Sequence, residues 1–77
     1  MEKEICRIIE RALGLSDNSV NVNDSMETIE EWDSLGLLTI LSALEERFGN
    51  KIAAIDEISS VRSVKEIISI LKNRSII

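Results

Sequence analysis

Three separate stretches of this chain repeat their apolar residues at the period of an α-helix, and short amphipathic helices can hide their stripes only against one another. The first runs from about Glu2 to Leu13, with Ile5, Ile8, Ile9, Ala12 and Leu13 on one stripe. Gly14 suits its C-cap, because glycine enters the left-handed conformation without a steric penalty. The second starts near Asp33 or Ser34 and runs to Phe48, where Gly49 and Asn50 end it. Asp33 and Ser34 are both good N-caps; with Asp33 as the cap, Trp32 and Leu37 take the two positions of a hydrophobic staple, a structural role for the tryptophan. The third is capped by Ser63 and carries Val64, Ile67, Ile68 and Leu71, with Lys72 and Arg74 favourably placed at the negative end of the helix dipole. Between the last two, Asp56 to Val61 could add one or two turns. The expected fold is all-α, a small bundle of three main helices plus one short helix.

Length and composition then exclude most chemistries. At 77 residues the chain is read as one domain over 1–77, since domains usually need roughly 100 to 200 residues. A chain this short builds one thin core and no deep walled cavity. There is no histidine and one cysteine, Cys6, so an internal disulfide, a thiolate zinc cluster and histidine-based catalysis are excluded, and no specific metal site or catalytic residue is expected. Cys6 lies at the edge of the first stripe, where a small core residue is the simpler reading than a reactive thiol. The formal net charge of −5 argues against a nucleic-acid partner, because the chain offers no counterion-release term. No apolar run is long enough to insert in a membrane, and the N-terminus lacks the layout of a secretory signal, so a cytoplasmic location is expected.

The acidity is concentrated. Residues 24–57 hold nine acidic and two basic groups, whereas residues 58–77 hold one acidic and four basic groups. Leu15 to Trp32 has no sustained period and reads as a long ordered loop, held by its own Leu15, Val20, Val22, Met26 and Ile29. Asp17, Ser19, Asn21, Asn23 and Ser25 superficially suggest calcium ligands. The match fails at Val22, where the turn needs glycine, and at Thr28, where a bidentate glutamate is needed.

The second helix has two faces. Leu37, Ile40, Leu41, Leu44 and Phe48 share about one third of its circumference and form the buried side. Ser34, Leu35, Leu38, Ser42, Glu45 and Glu46 fall outside it, pairing apolar groups and a hydroxyl at the helix start with carboxylates further along. That surface is read as a docking face, the alternative being that Leu35 and Leu38 pack under the long loop. Ser34 is the residue of chemical interest: a hydroxyl at a helix N-terminus sits where free amides and the helix dipole stabilise an attached phosphate or phosphodiester. A plain capping serine is the other reading.

Trp32, Asp33, Ser34, Leu35 and Gly36, followed by a helix that contains Ala43, Leu44, Glu45, Glu46, Arg47 and Phe48 and ends at Gly49, resemble the acyl carrier protein family. The resemblance extends over essentially the whole chain, to the Ser63–Val64 start of the last helix. It implies that Ser34 carries 4′-phosphopantetheine delivered from coenzyme A, with Asp33 and Leu35 beside it in the attachment motif and Asp33 helping a phosphopantetheinyl transferase recognise it. It further implies that the second helix, through Leu35, Leu38, Ser42, Glu45 and Glu46, docks acyl-loading and acyl-transferring enzymes that present basic patches. A monomeric carrier that is not itself an enzyme is the expected state, since the cofactor supplies the thiol and partners supply the bases.

Two departures bear on the cargo. Fatty-acid carriers usually show a proline soon after the isoleucine that follows the second helix, whereas Ile52 here precedes Ala53 and Ala54. The Trp-Asp-Ser-Leu-Gly pattern is more similar to stand-alone carriers of surface-polysaccharide or secondary-metabolite pathways. Fatty-acid intermediates, an aminoacyl or D-alanyl cargo, and an unmodified helical interaction module all stay open at this point.

Overall fold

The computed structural model describes residues 1–77. Its helices are α1 (Glu2–Leu13), α2 (Ser34–Phe48) and α3 (Val64–Asn73), with 3₁₀ turns at Asn50–Ile52 and Asp56–Ser60 between α2 and α3. No strand forms; the one β-bridge joins Ser25 in the loop to Ser63 at the start of α3. The architecture is the all-α bundle expected from the three stripes.

Local signals set the helix ends. Gly14 closes α1 in the left-handed conformation, at φ 70° and ψ 31°, and the Leu15 N–H reaches back to the Glu10 carbonyl at 2.8 Å. Ser63 caps α3 by accepting the Glu66 N–H at 3.1 Å, and the Glu66 carboxylate in return accepts the Arg62 N–H at 3.0 Å. Between α2 and α3, Ile52, Ile55, Ile58 and Val61 are all buried. Their spacing of three matches the 3₁₀ period, so each tight turn delivers one side chain to the same interior. The turn at Asn50–Ile52 was not anticipated, and this spacing is the sequence signal for it.

The core is continuous. Ile5, Ile9, Ile40, Leu44, Ile52, Val64, Ile67 and Leu71 are fully buried, joined by Val20, Ile29 and Trp32 from the long loop. Cys6 is buried among them, and burial pushes its thiol pKa up, the opposite of what a reactive thiolate needs. Leu37, Leu41 and Phe48 of α2 are half-buried against the core rather than sealed within it.

The long loop is held by more than its apolar residues. The Glu10 carboxylate is only 1% exposed and accepts the Val20 N–H at 2.9 Å, with Arg7 close beside it at 2.8 Å as an ion pair. Further along, the Met26 N–H donates to the Arg62 carbonyl at 2.9 Å and the Val64 N–H to the Asp24 carbonyl at 3.1 Å, tying the loop to the start of α3. Among the polar residues that superficially suggest calcium ligands, Asn21 and Ser25 serve the loop's own backbone: Asn21 Oδ1 accepts the Asn23 N–H at 2.9 Å, and Ser25 Oγ the Glu27 N–H at 3.2 Å.

Candidate functional site

Asp33 and Ser34, equally good caps by sequence, divide the work. Asp33 is the N-cap in an extended conformation; its Oδ1 accepts the Gly36 N–H at 2.8 Å and its carbonyl the Leu37 N–H at 2.8 Å. Ser34 is the first helical residue, exposed, with its hydroxyl outside the cap. The Ser34 and Leu35 amides lie in the first turn and have no carbonyl one turn back to bind, so they face outward at the positive end of the dipole.

Gly36 fixes this turn against the rest of the molecule. A Cβ built there would lie 2.2 Å from the Glu31 carbonyl oxygen and 3.1 Å from Leu13 Cδ2. Only a residue without a side chain lets the first turn of α2 approach the loop backbone and the end of α1 this closely.

Beside Ser34 is a cleft of about 180 Å³, whose lining includes Trp32, Asp33, Leu37, Val61 and Arg62. Trp32 is 2% exposed, and its indole Nε1 is buried without an acceptor. Trp32 and Leu37 share this cleft wall, in keeping with the expected staple. A larger open cleft of about 870 Å³ lies between α1 and α2, lined in part by Arg7, Arg11, Ser42, Glu46 and Arg47, and does not include Ser34.

Leu35 is 72% exposed and Leu38 61% exposed, so the loop does not cover them and the alternative packing is not what the chain adopts. Ser42, Glu45 and Glu46 are exposed on the same side of α2. Neither Glu45 nor Glu46 is in an ion pair, whereas Arg47 on the neighbouring row pairs with Glu4 of α1. The exposed surface of α2 therefore combines two bare leucines with two uncompensated carboxylates. No group of three or more histidine, cysteine, aspartate or glutamate side chains is gathered to hold a metal. Glu10, buried and charged, was not anticipated.

Comparison with known proteins bears on what this site serves. Residues 3–71 match the family described as "Phosphopantetheine attachment site". The acyl carrier protein of Chlamydia caviae is 32% identical over 74 residues, covering 96% of this chain and 95% of that protein. No solved structure matches the chain. Proteins of this family are carriers rather than enzymes and bear 4′-phosphopantetheine as a covalent cofactor. The start of α2 fits that group: it offers a hydroxyl free of the cap, two outward amides for a phosphodiester, and a cleft alongside. By fold, by the match over most of its length and by this fit, the chain belongs to the acyl carrier protein family.

Proposed function

We propose that Ser34 is the residue that carries the 4′-phosphopantetheine arm, and that residues 1–77 act as a single carrier domain for acyl intermediates. The observation that carries this reading is the division of labour at the start of α2, where Asp33 caps the helix and leaves the Ser34 hydroxyl exposed beside two outward amides. When bound, the cofactor supplies a thiol that holds an acyl group as a thioester. The protein's own part is positional. Asp33 holds the first turn, Gly36 anchors it against Glu31, and the helix dipole stabilises the phosphodiester charge. Asp33 and Leu35 flank the hydroxyl, placed for recognition by the phosphopantetheinyl transferase.

Partner enzymes are expected to dock on Leu35, Leu38, Ser42, Glu45 and Glu46. The exposed leucines supply the desolvated centre of such a contact, and the unpaired carboxylates steer basic patches toward it. Steering raises association rates while leaving the contact weak enough to exchange partners in series. Ser42 and Glu46 also line the cleft between α1 and α2, so the face continues over that edge.

The carrier is assigned to acyl intermediates of fatty-acid, polysaccharide-modifying or secondary-metabolite biosynthesis, as a cytoplasmic monomer. Its single unpaired cysteine suits a reducing compartment, and no helix is long and apolar enough to cross a membrane. Incubation of the apo chain with coenzyme A and a promiscuous transferase tests the reading: intact mass is expected to rise by one phosphopantetheinyl group, and an unchanged mass with several such transferases contradicts it.

A further inference from the structure

The charge pattern of the chain acquires a meaning at Ser34. The acidic segment 24–57 surrounds this residue in sequence, and a phosphodiester attached there adds one more negative charge to it. The fold brings the opposite end of the chain to the same place. Arg62, the first basic residue of the cationic segment 58–77, lines the cleft beside Ser34. Its backbone is fixed on both sides, with the N–H donating to Glu66 and the carbonyl accepting the Met26 N–H. Arg62 is exposed and in no ion pair, whereas Arg7, Arg47 and Arg74 pair with Glu10, Glu4 and Glu57; the other unpaired arginine, Arg11, lines the cleft between α1 and α2, away from Ser34.

We infer that Arg62 is the cation that holds the phosphodiester of the Ser34-linked arm, and that the cleft formed with Trp32, Leu37 and Val61 receives the first part of that arm. This rests on the reading of Ser34 as the attachment residue. Guanidinium is suited to the task because its planar fork can donate two hydrogen bonds to one phosphate. A cleft of about 180 Å³ is below the ~300–1,000 Å³ that encloses a whole drug-sized ligand. It can therefore take the phosphodiester and the apolar dimethyl carbon next to it, while the thiol end stays outside for partner enzymes. Trp32, 2% exposed, forms part of the wall of the same cleft and so lies where the arm would pass.

The test compares apo and holo forms of the wild type, Arg62→Gln and Arg62→Lys. Intact mass first establishes conversion in each; a wild type that does not convert overturns the Ser34 reading, and the Arg62 inference with it. With converted protein, the holo-minus-apo difference in melting temperature is expected to be about 2–4 °C more positive in the wild type than in Arg62→Gln at low salt, with Arg62→Lys between them. A merely structural arginine would shift apo and holo forms equally, so the same difference in all three proteins overturns the pairing. Trp32 is the only tryptophan, which makes its fluorescence a clean report on the cleft. Its emission is expected to move on modification of the wild type, and emission unchanged by modification overturns the placement of the arm.

Discussion

The Glu10 carboxylate, buried near the end of α1, accepts the Val20 backbone N–H at 2.9 Å and so fixes the middle of the long loop to the first helix. Arg7, one turn earlier, neutralises it at 2.8 Å and extends to the Val20 carbonyl at 3.1 Å. Three groups that would each be costly to bury alone satisfy one another, so the loop acquires a fixed path before it reaches Trp32 and the start of α2.

Removing this anchor should loosen the loop. Glu10→Ala leaves a buried amide without an acceptor and Arg7 without its partner, and is expected to lower unfolding free energy by about 2 kcal/mol. Chemical denaturation of the variant beside the wild type measures it, and a loss indistinguishable from zero would mean that water satisfies the Val20 amide.

The same group gives a pH dependence of known sign. Burial raises the Glu10 pKa, but the Val20 and Asn18 amides and the Arg7 guanidinium outweigh it, leaving the carboxyl below its ordinary value. A depressed folded-state pKa contributes stability above the unfolded value of about 4.3, lost as pH falls through the folded value. The stability gap between wild type and Glu10→Gln is therefore expected to be widest near neutral pH and to narrow in acid. Melts across that range check it; a gap that widens in acid would reverse the sign.

Gly36 gives a case where packing should override helix propensity. Glycine to alanine in a helix interior ordinarily gains about 1 kcal/mol. Here the new Cβ would meet the Glu31 carbonyl oxygen at 2.2 Å, and backbone cannot swing aside as a side chain can. Gly36→Ala is expected to lose about 1–3 kcal/mol instead, read from urea midpoints, and a stabilised variant would show that the first turn of α2 shifts without cost.

These residues also mark how far the sequence could be read. The three helices were legible because their periods and caps are local: Gly14 and Ser63 end or begin helices through contacts within a few residues. Ile52, Ile55, Ile58 and Val61 carried a legible signal of another kind, a spacing of three that an α-helical template passes over. Glu10 was not legible, because a carboxylate beside Cys6 on the edge of a stripe looks solvent-facing until the loop's amides are placed over it. At the site, Ser34 and the exposure of Leu35 and Leu38 could be read from helical geometry. The choice between Asp33 and Ser34 as the cap could not, and neither could the presence of Arg62, which is distant in sequence and arrives only through the tie between Met26 and Arg62.

Docking separates from stability on α2. With Leu38 61% exposed, Leu38→Ala is expected to change unfolding free energy by no more than about 0.5 kcal/mol while slowing transfer with partner enzymes about fivefold or more. Glu45→Lys should act on the association rate and flatten its salt dependence. Stopped transfer assays and denaturation of the same samples decide it; unchanged transfer for both variants would move the docking face elsewhere.

The central claim is that Ser34, and no other hydroxyl, takes the arm. After incubation of apo protein with coenzyme A and a promiscuous transferase, fragmentation mass spectrometry of proteolytic peptides locates the added group directly. The peptide containing Ser34 is expected to carry one phosphopantetheinyl group, and Ser34→Ala to carry none. Because Asp33 rather than Ser34 caps α2, that variant should keep its helix content in the same sample. Modification that persists in folded Ser34→Ala, or that maps to a peptide without Ser34, would contradict the account.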